Sequence, residues 1–354
     1  MKYEGLNQCL EVLKAREEVQ SDLVVRPKEI EMDTEAQLHI ALSPTPIPMT
    51  KWAHGQMATK LEIPNGYYNR MLENDKHLLS KNVNKWLPEV KDILIRTEAG
   101  NARAILSSRY KMVQNRLVLL TVMNALQDMH RPYLIRSLVE SDTTFYAKFV
   151  GTETYNIGNN DLYRGGIVLR NSEIGASRLK VDLFVSRLSC GNDAIFGDDG
   201  ISRIHIGRKL EAGIVNFQQD TIAADTDAMM KAIRDVTQTA FDPAGIQHIY
   251  DTIKLGKENV LEKASQVVRA IQTQNKFSDE LTDRLLMSMH NNTQYDIAQA
   301  ITFNAQAFTD EDRRIEMEEL GGAILIMPKD EFNSTYKPKE DSSPSSQMSL
   351  FKEE

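Results

Sequence analysis

The residues best suited to chemistry in this 354-residue chain are cationic and aromatic side chains gathered in its middle. Arg96, Arg103, Arg109, Lys111 and Arg116 run through a segment with β-hairpin character and the stretch after it. Arg164, Arg170, Arg178, Lys180 and Arg187 flank two later runs of strand character, and Tyr110, Tyr146, Tyr163 and Phe184 lie among them. Cations that track phosphates, interleaved with rings that offer a π-face to bases, are the composition of a groove for single-stranded nucleic acid. A blander arrangement also fits, in which the rings complete the core and the arginines pair with acidic flanks. The chain carries −8 overall, but Lys91 to Leu210 holds 17 Lys and Arg against 12 Asp and Glu, a net of +5 that leaves −13 elsewhere. A basic middle favours a phosphate partner, although ordinary scatter of surface charge also gives such an excess.

Other reactive groups make weaker cases. Asp198-Asp199-Gly200 has oxygens for a divalent cation, yet paired Asp before Gly is ordinary turn chemistry, and no third carboxylate stands at EF-hand spacing. His205 lies in an apolar stretch, where a hydrogen-bonded core or edge histidine is the simpler reading. Cys190 has no His and acid at a recognisable spacing, so it reads as a small buried residue rather than a nucleophile. Cys9 is far from it in sequence, which argues against a disulfide framework or a structural zinc. A Gly-x-x-x-x-Gly-Lys-Ser/Thr loop, a Gly-x-Gly-x-x-Gly turn and a His-Glu-x-x-His helix are all missing. ATP-driven work and zinc hydrolysis therefore have no support, and no catalytic residue, metal or cofactor is assigned.

Near the C-terminus, Gln347-Met348-Ser349-Leu350-Phe351 follows a stretch without apolar periodicity. The pentapeptide resembles the clamp-binding motif of bacterial polymerases and repair proteins: Gln, an aliphatic residue, a small or acidic residue, Leu, Phe. What the resemblance implies is a bacterial sliding clamp as partner. Leu350 and Phe351 would fill an apolar pocket, Met348 would take the aliphatic position, and the Gln347 amide would hydrogen-bond at a second small site. The Pro-, Ser- and Lys-rich residues 328–346 read as a tether, with an r.m.s. reach of roughly 22–26 Å on the flexible-coil estimate. A tail docked on its own domain, or an accidental match, are the competing explanations.

These groups need elements to hold them. Leu6, Leu10 and Leu13 recur at helical spacing, and Leu23-Val24-Val25 and Leu38-His39-Ile40 read as short strands. Thr50 is placed to cap a helix carrying Trp52, Met57 and Leu61, and further helix runs through Trp86. Residues 93–96 and 102–106 around Glu98-Ala99-Gly100-Asn101 predict a hairpin, with helix over 114–129. Strands are expected at Phe145 to Val150, Ile167 to Arg170 and Leu179 to Arg187, the last with one face in the core and the other wet. Long helices follow from about Thr221 to Leu320, one starting at Asp242-Pro243. The expected fold is α+β, with a mostly antiparallel sheet core over 91–215 behind a helical N-terminal block over 1–90. A helical region over 216–327 and a disordered tail over 328–354 complete it. No apolar leader opens the chain, and no run approaches the roughly 20 apolar residues of a membrane span. A cytoplasmic protein without a membrane partner is expected.

Asn171-Ser172-Glu173-Ile174-Gly175, Arg187-Leu188-Ser189-Cys190-Gly191-Asn192 and Arg203-Ile204-His205 join the Ile63-Pro64 turn and Ser107-Ser108-Arg109-Tyr110 to form a recognisable set. Together they resemble a domain of unknown function (number 932) found in phage- and plasmid-encoded proteins, over about residues 50 to 250. The resemblance implies a mobile-element setting and no particular activity. Combined with the basic core and the terminal peptide, it leads to an expected role in DNA replication or recombination: ATP-independent binding or annealing of single-stranded DNA at a clamp, with possible homo-oligomers. A clamp-recruited metal-dependent nuclease or DNA-modifying enzyme using Asp198, Asp199 and His205, and a clamp-binding interaction protein without DNA activity, are the alternatives.

Overall fold

The structure, a computed structural model, describes residues 1–41, 45–108, 110, 112–197 and 219–337. Asp198, Asp199, His205, Arg109, Lys111 and the peptide Gln347–Phe351 lie outside the described residues. The first elements are α1 (Leu6–Glu18), β1 (Gln20–Val25), β2 (Ile30–Met32), β3 (Leu38–Ile40), α2 (Lys51–Lys60), α3 (Asn65–Asn74) and α4 (Lys76–Trp86). Then come β4 (Ile93–Glu98), β5 (Asn101–Ser107), α5 (Asn115–Asp128), β6 (Tyr133–Glu140), β7 (Phe145–Gly151), β8 (Tyr155–Asn156), β9 (Leu162–Asn171), β10 (Lys180–Arg187) and β11 (Asp193–Phe196). The remaining described elements are helices: α6 (Gln219–Phe241), α7 (Pro243–Glu258), α8 (Ala264–Asn275), α9 (Asp279–Ser288), α10 (Gln294–Ala305), α11 (Glu311–Ile326) and α12 (Lys329–Thr335). The sheets are ordered β1-β4-β5, β2-β3 and β11-β10-β9-β7-β6 with β8 on β9. The fold is α+β, with antiparallel pairing in β1–β4, β4–β5, β6–β7 and β10–β11.

The chain divides into two compact units that interleave along the sequence. One holds Met1–Thr152, Ile167–Asp182 and the described part of Ile201–Thr239; the other holds Glu153–Gly166 and the described parts of Leu183–Gly200 and Ala240–Glu354. In the first unit, side-chain caps set the starts of α2 and α4. The Thr50 hydroxyl accepts from the Ala53 amide at 3.2 Å, and Asp75 accepts from Leu78 at 2.9 Å, satisfying amides that have no partner within their own helix. Helices α2 to α4 then bury Met57, Ala58, Tyr68, Met71, Leu79 and Val83 in one core with Ile93, Ile95 and Ile105 of the hairpin. The β4–β5 turn is built by Ala99 and Gly100, both at positive φ, the backbone that matches a right-handed strand twist. β1 pairs with β4, so Leu23-Val24-Val25 joins the hairpin rather than the β2–β3 pair.

In the second unit, α11 closes on α10 and β11 through two adjacent glycines. A Cβ at Gly321 would meet the Thr302 side chain and lie 3.2 Å from the Ala298 carbonyl, and one at Gly322 would overlap the Ile195 backbone. Because backbone cannot yield as a side-chain tip can, Gly322→Ala should destabilise this unit by about 2–3 kcal/mol, the upper range of overpacking costs. The check is a lowered thermal midpoint with no comparable loss in Gly256→Ala, where a Cβ finds 3.5 Å or more of clearance.

Two expectations are corrected. Along β10 every residue from Val181 to Ser186 is buried, Asp182 and Phe184 included, so neither face is wet. Alternation marks the more polar face of a strand, but a sheet covered on both sides buries that face too. The tract after Met327 is folded further than its composition suggests: α12 buries Phe332, whose ring stands 5.3 Å from that of Tyr336. Two aromatics four residues apart suffice to dock one short helix.

Candidate functional site

The segment Asn171-Ser172-Glu173-Ile174-Gly175 is a loop held by several side-chain hydrogen bonds. The Ser172 hydroxyl donates to the Thr143 carbonyl at 2.7 Å and accepts from the Ile174 and Ala176 amides, holding the turn from within. Asn171 donates at 2.8 Å to the Val113 carbonyl and to the Asn115 side chain, at the start of α5. Trp52 and Gln56 on α2 both donate to the Ile174 carbonyl, at 3.1 and 2.7 Å. Gly175 has φ +76, a backbone that favours glycine, and a Cβ there would stand 2.8 Å from the tip of the Leu106 side chain, which would have to shift.

Beside this loop opens a cavity of about 310 Å³, large enough for a nucleoside-sized group. Its apolar wall is Val113, Leu179 and the Tyr110 ring; its polar groups come from Asn171, Ser172, Ser177 and Arg178. Tyr110 donates its hydroxyl to the Ser172 carbonyl at 3.2 Å, and burial pushes its pKa up, so it acts as a fixed ring and a hydrogen-bond donor rather than an acid. Among the described residues the Ser177 hydroxyl has no hydrogen-bond partner, while Arg178 lies on the exposed rim. Among the described residues no carboxylate or imidazole lines the cavity. An aromatic face, hydroxyls and a guanidinium are groups that can hold a ligand by stacking, hydrogen bonding and charge.

Behind the loop lies a network of charges. Glu173 accepts from the Asn115 amide at 2.8 Å and from Gln20 at 3.2 Å. Arg96, 1% exposed, donates to the Glu173 carbonyl at 3.1 Å and to Gln20 at 2.6 Å. Its pKa is lowered, chiefly by that burial. Arg103 pairs with Glu98 at 2.6 Å and stands 4.0 Å from both Glu140 and Glu173, while Arg16 pairs with Glu98 and Glu140. Tyr3 donates to Glu140 at 2.7 Å, and burial beside that carboxylate raises its pKa.

The cationic residues expected to share one groove are thus distributed among different roles. Arg96 and Phe184 are buried and cannot meet a phosphate or a base, a correction forced by their lack of exposure. Arg103 is committed to carboxylates inside the first unit, and Arg116 pairs with Glu17 at 3.4 Å. Arg187 belongs to the second unit, where its Nε donates to Asp161 at 2.7 Å. Arg170 and Lys180 are half-buried, leaving Arg178 the most open of the second group. Cys190 is a free, half-buried thiol. In the same element, Asn192 donates to the Gln299 carbonyl at 3.2 Å and accepts from Gln306 at 2.8 Å, tying β11 to α10. Ser177, Val113 and Leu179 gave no sequence signal; Gly175 did, since a glycine after a polar turn marks a positive-φ backbone.

Among the described residues no group of three or more His, Cys, Asp or Glu is placed to hold a metal ion, and no helix is long and apolar enough to cross a membrane. No curated protein and no solved structure matches the chain. A family model described as Domain of unknown function (DUF932) matches residues 103–323, beginning and ending later than the 50–250 span suggested by the motifs. The matched stretch runs from β5 to α11 and takes in the cavity loop, more than half of the 354 residues. The chain belongs to the family of the Domain of unknown function (DUF932).

Proposed function

We propose that this protein is a cytoplasmic, ATP-independent single-stranded DNA-binding or annealing factor of a phage or other mobile element, brought to a bacterial sliding clamp by Gln347–Phe351. The observation that carries the reading is the cavity beside Asn171–Gly175, where the Tyr110 ring and the Arg178 guanidinium border one opening of about 310 Å³. A splayed base needs an aromatic or apolar wall and hydrogen-bonding partners, and its phosphate needs a cation at the rim. The clamp peptide supports recruitment from the sequence side: tethering raises the local concentration of the folded units at DNA without any contact of high intrinsic affinity.

Anisotropy of labelled single-stranded oligonucleotides, titrated against salt, tests the binding. Arg178→Ala should weaken binding several-fold and flatten the salt dependence by about 0.7 in the log–log slope, the share of one phosphate contact on a single strand. Deleting residues 347–354 should abolish capture of the clamp in a pull-down while leaving oligonucleotide affinity intact. No affinity for single strands at low salt would remove the reading.

A further inference from the structure

The α2–α4 block carries a second cationic surface that neither the cavity nor the charge network uses. Helix α4 contains Lys76, His77, Lys81 and Lys85 within 11 residues and no acid; Asp75 caps its start, and Glu73 and Glu89 lie three residues beyond either end. His77, Lys81 and Lys85 are spaced four apart, on one exposed stripe. Lys76 reaches Glu35 at 3.4 Å, but among the described residues no ion pair involves Lys81 or Lys85. Trp86, at the end of the same helix, is 43% exposed. Helix α3, joined to α4 through an Asn82 to Met71 contact at 3.5 Å, exposes Tyr67 and Arg70.

Like charges four apart repel, each pair costing an isolated helix about 0.2–0.5 kcal/mol. A lysine-rich solvated face is ordinary when acids are interspersed, and the chain has 50 acidic residues to 42 Lys and Arg. Here the acids are withheld from the helix instead. Stacked cations beside an open indole are favourable once a polyanion with flat bases lies across them. Four helical residues advance about 6 Å, comparable to the step between phosphates of an extended strand. An anionic membrane offers the charge but nothing for one indole and one phenol ring to stack on.

We propose that the exposed face of α4, through Lys81, Lys85 and Trp86, is a second contact surface for single-stranded nucleic acid, engaging phosphates with the lysines and a base with the indole. It rests on the single-strand reading above and extends the footprint beyond one cavity.

The test is the salt dependence of oligonucleotide binding by the full chain, wild type against K81A/K85A and W86A. Two lost phosphate contacts should flatten the log–log slope by about 1.4. Loss of one stacked base should weaken binding roughly tenfold. K81A/K85A should melt no lower than wild type, since removing repulsion does not harm the helix, which separates a contact role from a structural one. If the wild type binds and both variants keep its slope and affinity, α4 is a solvated face and the cavity reading stands alone. If the wild type does not bind, both proposals fall.

Discussion

Glu173→Ala is expected to destabilise the first unit by about 3–5 kcal/mol, the cost of breaking a buried ionic network by removing one partner. The carboxylate does three things at once. It accepts from the Asn115 amide at the first residue of α5, where no intrahelical partner exists. Its other oxygen accepts from Gln20, which in turn accepts from Arg96. It also stands 4.0 Å from Arg103, offsetting a guanidinium that is only 13% exposed. Alanine therefore leaves an amide, a carboxamide and part of a cation without partners in a place water reaches poorly.

Glu173→Gln separates these contributions, because its carbonyl can still cap α5 while the charge is gone. The glutamine variant should recover about 1 kcal/mol, the worth of a helix cap. Chemical denaturation followed by hydrogen exchange at α5 is the measurement. An alanine variant within about 1 kcal/mol of wild type would show that the network relaxes onto water and that the loop is not held from behind.

How much of this was legible beforehand depended on the range of the interaction. Thr50, Asp242-Pro243 and the Ala99-Gly100 turn were readable because a cap or a turn is written in three or four consecutive residues. Strand β6 was not, since a bulge between Ile135 and Ser137 breaks its alternation and leaves Leu134 and Ile135 exposed. The number of cations is readable from composition, but which of them turn inward is not. Arg16 meets Glu98 across 82 residues and Arg96 meets the Glu173 backbone across 77, and composition carries no record of such pairings. Arg96 and Phe184 looked available for the same reason: whether a polar strand face is wet depends on what covers it, and the cover comes from distant sequence. Gly175 signalled a loop whose backbone favours glycine, but the cavity beside it needed Trp52 and Gln56, from more than a hundred residues earlier, to fix the Ile174 carbonyl.

The second unit has its own buried anion, and its removal should be the other large effect. Asp161, 8% exposed, accepts from Arg187 at 2.7 Å, from Lys257 at 2.8 Å and from the Tyr295 hydroxyl at 2.6 Å. Tyr295 is hydrogen-bonded in turn to Tyr163 at 2.7 Å, and the Lys257 ammonium lies 4.7 Å from the Tyr295 ring centre. Burial alone would raise the Asp161 pKa; the donors from Arg187, Lys257 and Tyr295 outweigh it and hold the carboxyl below its ordinary value. Asp161→Asn keeps the shape but turns an amide N–H toward a site already crowded with donors, at a cost of about 3 kcal/mol, tempered because Arg187 and Lys257 remain partly open to water. The sign of the pH effect follows from the depressed folded pKa. The ionised form stabilises fully above the unfolded value of about 4, and that stability is lost as pH falls through the folded pKa. Wild type minus Asp161→Asn should therefore be flat from pH 5 to 7. Below about pH 4 it should shrink with a slope of at most about 1.4 kcal/mol per pH unit, one proton's worth. Melting curves across that range decide it: a difference that stays constant at low pH would mean that Asp161 contributes through its shape and hydrogen bonds alone, without its charge.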